Sequence, residues 1–125
     1  LYANGKFDML HGQDETILPC LAMGGAQGGI GGTTNYNGRC LTGILDAWKE
    51  GDIEKARELQ NFAQDVINVI CHFRGNIVGG KRIMKLIGLD LGKNRTPFNN
   101  MTDEEEARMK KELEDIDFFN KCNIF

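Results

Sequence analysis

The chain of 125 residues is poor in the residues that mark metal, disulfide, membrane or nucleic-acid proteins. Its four cysteines are widely spaced, form no Cys-x-x-Cys pair and stand beside only two histidines, so neither a zinc site nor a disulfide framework is expected. A formal net charge of −3 argues against nucleic acid or an anionic membrane surface as a partner. No apolar run approaches the roughly 20 residues of a membrane-spanning helix, and the start lacks the layout of a signal peptide. We therefore expect a cytoplasmic protein without metal or cofactor.

The spacing of apolar residues predicts two βα units followed by further helices. The first unit is a strand over residues 6–12 and a helix over residues 17–22. The second is a strand over residues 26–32 and a helix over residues 40–50, which stops at a glycine. Three more helices are predicted over residues 53–70, 78–87 and 102–118, with Asp52 and Thr102 as N-terminal caps.

Two strands are too few for this pattern of elements to be complete. A parallel sheet is normally buried on both faces and needs several strands. The chain also lacks an initiator methionine and opens on Leu-Tyr-Ala, which is typical of the end of a helix. We expect the missing strands to precede residue 1.

The segment from Gly24 to Gly32 contains six glycines in nine residues, although each interior glycine costs roughly 0.5–1 kcal/mol in backbone entropy. A dinucleotide loop is not indicated, because Thr34 stands where the third glycine of that motif would be. A flexible linker would be richer in serine. A phosphate loop over residues 75–82 is disfavoured too, since Arg82 replaces its hydroxyl residue. The cluster favours a barrel strand whose backbone faces a ligand.

Two acidic residues, Asp14 and Glu15, follow the first predicted strand. Neighbouring carboxylates at a helix start are commonly caps and nothing more. At the C-terminal end of a strand in a (β/α)8 barrel, however, they would accept hydrogen bonds from ligand hydroxyls. The residues by themselves leave both interpretations open.

Four stretches together resemble the N-acetylneuraminate lyase family, within the larger group that includes dihydrodipicolinate synthase. They are HGQDETILPCLAMGGAQGGIGGTTN at 11–35, GD…AR.LQ at 51–60, G.K..M at 79–84 and R.PF at 95–98. The resemblance implies an α/β fold that is the C-terminal part of a TIM (β/α)8 barrel. Residues 1–50 would supply strands seven and eight with their helices, and residues 51–125 a C-terminal three-helix extension.

The resemblance also implies a function. Members of this family are class I aldolases, usually homotetrameric, which cleave the keto sugar acid N-acetylneuraminate reversibly to pyruvate and N-acetylmannosamine through a Schiff base. The nucleophilic lysine would precede residue 1, in the N-terminal part of the same barrel, so no catalytic residue is assigned to this chain. The substrate-binding residues that the resemblance implies are Gly12, Asp14, Glu15, Ile30, Gly31 and Gly32.

One position departs from the family pattern, and other functions stay open. The sialic-acid branch commonly has serine where this chain has Gly32. The glycine lacks a hydroxyl that would contact the substrate, so this position bears on which sugar is bound. A sister pyruvate-dependent aldolase, or dihydrodipicolinate synthase, is the nearest alternative, and a substrate panel would separate them. A non-catalytic helical binding module is an alternative of another class, and would melt cooperatively as a monodisperse chain.

Overall fold

The computed structural model of the protein describes residues 2–123. Two short strands, β1 (Leu10–His11) and β2 (Gly28–Gly29), pair in parallel. Between them lie a 3₁₀ turn over Asp14–Thr16 and helix α1 (Ile17–Ala22). The segment is therefore a βαβ unit, the unit that repeats in a (β/α)8 barrel.

The other regular elements of the described chain are helices and helical turns, and a loop over residues 87–102 separates the last two helices from the rest. A 3₁₀ turn (Tyr2–Gly5) precedes the strands, and a π-helical turn (Asn76–Gly80) runs directly into α4. No helix within residues 2–123 is both long and apolar enough to span a bilayer. The helices that follow β2 are α2 (Thr34–Glu50), α3 (Ile53–His72), α4 (Lys81–Leu86), α5 (Asp103–Asp115) and α6 (Phe118–Lys121).

Five elements differ from the prediction. The second strand pairs over Gly28–Gly29 rather than 26–32, and the helix predicted over 78–87 is a π-helical turn (Asn76–Gly80) followed by α4 (Lys81–Leu86). The first strand pairs over residues 10–11 rather than 6–12, since β2, its neighbour in the described residues, is itself only two residues long. Helix α2 begins six residues earlier than predicted, at Thr34. The residues of its first turns are mostly polar, so they lack the apolar periodicity from which a helix is predicted. The predicted helix over 102–118 ends at Asp115, because Asp117 adopts a left-handed backbone conformation with φ of 58° before α6 begins.

The caps that the sequence predicts are present. The Asp52 carboxylate accepts a hydrogen bond from the Lys55 N–H at 3.1 Å at the start of α3. Thr102 and Glu105 form the reciprocal capping box of α5. Gly51, with φ of 78°, makes the turn from α2 into α3, which a residue with a side chain would adopt only under strain.

One hydrophobic core joins the residues on both sides of Gly51. Helices α2 and α3 pack against each other, and α1, α4, α5 and α6 close around them. The division into two βα units over residues 1–50 and a helical extension over residues 51–125 stays a prediction. Fully buried members of the shared core are Ile17, Tyr36, Ile44, Val66, Ile83, Met109, Leu113 and Phe118.

Gln60, a buried polar side chain on α3, fastens that helix to the segment after β1. Its amide nitrogen donates to the carbonyl oxygen of Asp14 at 3.0 Å, and its amide oxygen accepts from the N–H of Leu18 at 2.9 Å. Gln60 is 7% exposed, so both backbone groups are sheltered from water. A single side chain thus fixes where the carboxyl end of β1 lies relative to α3.

We expect Gln60→Ala to lower the free energy of unfolding by about 2–4 kcal/mol, because two buried backbone groups lose their partner. Gln64→Ala is the matched control. Gln64 also donates to a backbone carbonyl, that of Glu15, but at an exposed site, and its loss should cost less than about 0.5 kcal/mol. Urea unfolding of the two variants measures the difference, and equal losses would contradict the role of Gln60.

Candidate functional site

A cleft of about 240 Å³ opens beside the carboxyl ends of the two strands. Because β1 and β2 are parallel, the residues that follow each strand meet at the same edge. From the strand ends the cleft is lined by Gly12, Gln13, Asp14, Glu15, Gly32 and Thr33. From α3 and the turn after it come Ile67, Ile70, Cys71, Gly75 and Asn76.

The structure brings most of the predicted sugar-binding residues to this cleft. Gly12, Asp14, Glu15 and Gly32 line it. Gly31 is buried against the Asp14 carboxylate. Ile30 does not line the cleft, and its side chain is 70% exposed. The binding role of all six residues stays a prediction.

The carboxylate of Asp14 is fixed by the residue that precedes α2. Its Oδ2 accepts hydrogen bonds from the N–H of Thr33 at 2.9 Å and from the Thr33 hydroxyl at 2.5 Å. Its negative charge lies near the N-terminus of α2, where the helix dipole favours it. Asp14 is only 3% exposed, and its Oδ1 has no hydrogen-bond partner among residues 2–123. The carboxylate therefore does not cap the helix that it precedes, where no side-chain cap bond occurs. It bonds through one oxygen to the residue before α2 and leaves the other oxygen unsatisfied.

The glycines after β2 make room for side chains of the protein itself. A Cβ on Gly31 would come closer than 3.0 Å to the Asp14 carboxylate, and a Cβ on Gly32 equally close to the amide of Asn76. A Cβ on Gly29 would lie 2.8 Å from the Cδ1 atom of Ile17. The sequence predicts that this backbone faces a ligand, and that contact stays a prediction. Within the described residues, the groups that approach these glycines closely are Asp14, Asn76 and Ile17.

Glu15 supplies the accessible carboxylate of the acidic pair. It is half-buried, and its carboxylate makes no hydrogen bond or ion pair within the described part of the chain. Its backbone carbonyl accepts from the side chain of Gln64 at 3.2 Å, which fixes the start of the side chain. An ionised carboxylate held in this way can accept hydrogen bonds from ligand hydroxyls.

Asn76 is the site residue that sequence reasoning missed. Its Oδ1 accepts a hydrogen bond from the Tyr36 hydroxyl at 2.7 Å. Burial, helped by the nearby Asp14 carboxylate, raises the pKa of Tyr36 well above its usual value, so the hydroxyl stays protonated and donates. The sequence signal for Asn76 is weak, because residues 75–82 read as a turn between helices. Its hydrogen-bond donor Tyr36 and the neighbouring Gly32 lie more than 35 residues earlier in the chain.

The model of the Dihydrodipicolinate synthetase family matches residues 2–116. The chain belongs to this family. It is 32% identical over 120 residues to N-acetylneuraminate lyase of Mus musculus, an alignment that covers 95% of this chain and 37% of that protein. The family resemblance drawn from the motifs is thereby confirmed.

Solved structures of the family share this backbone. N-acetylneuraminate lyase from Aliivibrio salmonicida matches with a TM-score of 0.84 at 28% identity, over 93% of this chain and 38% of that one. A 2-keto-3-deoxygluconate aldolase from Sulfolobus matches with a TM-score of 0.82 at 29% identity, over 91% and 39% of the respective chains. The chain thus spans less than half the length of these relatives, and its βαβ unit is consistent with part of a barrel.

We expect Gly31→Ala to destabilise the protein by at least about 2 kcal/mol, because the new methyl group would push Asp14 away from Thr33 and remove its charged hydrogen bonds. Gly12→Ala is the control, since no heavy atom lies within 4 Å of a Cβ at that position. Thermal unfolding of both variants tests this. A Gly31→Ala variant as stable as Gly12→Ala would show that Asp14 is not held against residue 31.

Proposed function

We propose that this chain is the C-terminal portion of an N-acetylneuraminate lyase, a class I aldolase that cleaves N-acetylneuraminate reversibly to pyruvate and N-acetylmannosamine. The observation that carries the proposal is the acidic pair at the carboxyl edge of two parallel strands, in a chain of this family. Residues 1–50 supply strands seven and eight of the (β/α)8 barrel. The helices of residues 51–125 form its C-terminal extension.

The lysines of this chain support a division of labour in which the Schiff base forms elsewhere. None of them lines the cleft. Lys81 donates to the carbonyl oxygen of Lys93, and Lys85 pairs with Glu106 at 3.0 Å. Lys6 is exposed before β1. The nucleophile therefore belongs to the part of the barrel that precedes residue 1, and this chain positions the sugar.

Sugar binding rests on Glu15 and on the unsatisfied oxygen of Asp14. Glu15 accepts hydrogen bonds from hydroxyls of the sugar tail, because its carboxylate is accessible and uncommitted. Asp14 orients this edge through Thr33 and presents Oδ1 as a second acceptor when the sugar displaces the atoms that shelter it. Holding the tail in one orientation aligns the distant keto carbon with the nucleophile, and small misplacements are costly in rate.

The apolar side chains around β1 and β2 support the N-terminal part of the same barrel as the partner. Phe7, Met9, Leu10 and Ile30 are all about half exposed or more, which is unusual for apolar residues flanking a parallel strand pair. Further strands on this face would bury them. The proposal extends to a cytoplasmic homotetramer, as the family resemblance implies.

A 2-keto-3-deoxygluconate aldolase is the second candidate, because such an enzyme matches this backbone almost as well as the lyase does. The two enzymes are named for different sugar acids. These substrates differ in the length of the sugar chain that must fit the cleft. Steady-state rates on N-acetylneuraminate and on 2-keto-3-deoxygluconate separate them. Membership of the family favours either aldolase over the non-catalytic helical module.

We expect borohydride reduction of the full-length protein in the presence of N-acetylneuraminate to leave a stable pyruvate-sized adduct, because hydride reduces the imine carbon and fixes the carbon–nitrogen bond. Intact-protein mass spectrometry followed by peptide mapping locates it. The adduct should lie on a lysine outside residues 1–125. An adduct on a lysine of this chain would contradict the division of labour, and its absence from the whole protein would contradict the aldolase.

We expect Glu15→Ala to raise KM for N-acetylneuraminate by roughly 10-fold or more, since a hydrogen bond to a charged group is worth about 1.5–3 kcal/mol. Formation of the pyruvate adduct should fall much less, because pyruvate lacks the sugar tail. Glu50→Ala, at the exposed end of α2, is the matched control and should leave KM unchanged. Equal losses with sugar and with pyruvate would assign Glu15 a structural role instead.

A further inference from the structure

The amide of Asn76 is oriented by a hydrogen bond from Tyr36 and lies in space left by Gly32 and Gly80. The Tyr36 hydroxyl donates to its Oδ1 at 2.7 Å. A Cβ on Gly80 would collide with that same oxygen, and a Cβ on Gly32 would collide with Nδ2. Two glycines and a buried hydroxyl therefore make a fitted place for this side chain, with Oδ1 towards Tyr36 and Nδ2 towards Gly32.

The Nδ2 group is a donor without a protein acceptor. No hydrogen bond from Nδ2 occurs in the described residues, although Oδ1 is fully committed to Tyr36. Asn76 is exposed on the surface of the protein, so the free N–H bonds face solvent or a ligand.

The position of Asn76 connects two clefts. It lines the 240 Å³ cleft that holds Asp14 and Glu15. It also lines a neighbouring cleft of about 280 Å³, formed between Asn35, Tyr36, Lys81 and Leu91 among others. Gly32 lines both clefts as well. A ligand longer than the first cleft would pass over Gly32 and within reach of Nδ2.

We propose that Asn76 is a specificity-determining residue, whose Nδ2 donates a hydrogen bond to an oxygen of the sugar tail where the tail crosses Gly32. This rests on the aldolase function proposed above. Glu15 and Asp14 offer only acceptors, whereas every hydroxyl is both a donor and an acceptor. Asn76 supplies the complementary donor. The site therefore recognises a polyol chain whose hydroxyls donate to the carboxylates and accept from the amide of Asn76. A short keto acid does not reach this residue.

Substitutions at Asn76 in the full-length protein test the donor. Asn76→Asp keeps an acceptor for the Tyr36 hydroxyl and loses the donor, and Asn76→Ala loses both ends of the amide. We expect both to raise KM for N-acetylneuraminate by roughly 3–10-fold with a smaller change in kcat, as the loss of one neutral hydrogen bond predicts. The ratio of kcat/KM for N-acetylneuraminate over 2-keto-3-deoxygluconate should fall by a similar factor. Asn61→Asp, exposed on α3 and outside both clefts, is the control for added charge.

A second substitution keeps the test independent of the Asn76 variants. Tyr36→Phe removes the hydroxyl that orients the amide and leaves Asn76 in place. It should raise the same KM by a smaller factor, and combining it with Asn76→Ala should add nothing further, because both changes act through one hydrogen bond. Additive effects of the two changes would show that Tyr36 acts on the site without Asn76.

The outcomes distinguish this inference from the proposed function. An increase in KM for Asn76→Asp but not for Asn76→Ala would reveal charge repulsion and overturn the donor role. An unchanged KM in both variants, with the pyruvate adduct still trapped on the wild-type protein, would overturn it while leaving the aldolase intact. Failure to trap pyruvate on the wild-type protein overturns the aldolase and, with it, the role given to Asn76.

Discussion

The carboxylate of Asp14 occupies the space that a side chain on residue 31 would otherwise fill. From there it bonds to both donors of Thr33 and so joins the end of β1, the end of β2 and the start of α2. Gln60 holds the backbone of the same residue from the side of α3. The edge that carries the candidate site is consequently built around one side chain, and the two-residue strands contribute little of its rigidity.

The positions of Asp14 and Asn76 change the interpretation of the glycines at the end of β2. A glycine-rich strand end can serve a ligand directly, by letting it touch the backbone, or indirectly, by letting the protein's own polar groups come close. Gly31 and Gly32 serve in the second way, since each accommodates a side chain from elsewhere in the chain. The polar groups that would meet a sugar are thereby set before it arrives, which is the condition for holding it in a reactive orientation.

Local patterns were sufficient to predict the βα order and the caps at Asp52 and Thr102, because each depends on residues that are near one another in sequence. The acidic pair was placed in a site by the family resemblance, since the residues alone left the cap interpretation open. The start of α2 and the break at Asp117 could not be predicted in this way. The first is hidden by the polar residues in the opening turns of α2, and the second depends on a backbone conformation that is uncommon for residues other than glycine. Asn76 was missed because its environment joins residues 32–36 to residues 76–80, and no spacing rule connects two segments so far apart in the chain.

The apolar residues left open beside β1 and β2 also have a consequence for synthesis. In a barrel completed by this chain, the two strands are the last to leave the ribosome. Until they pair, the two strands that flank the gap in the ring each keep an unpaired edge, which is a template for aggregation. Closure of the ring then depends on the short pairing of β1 with β2 and on the bond from Thr33 to Asp14 that joins their ends.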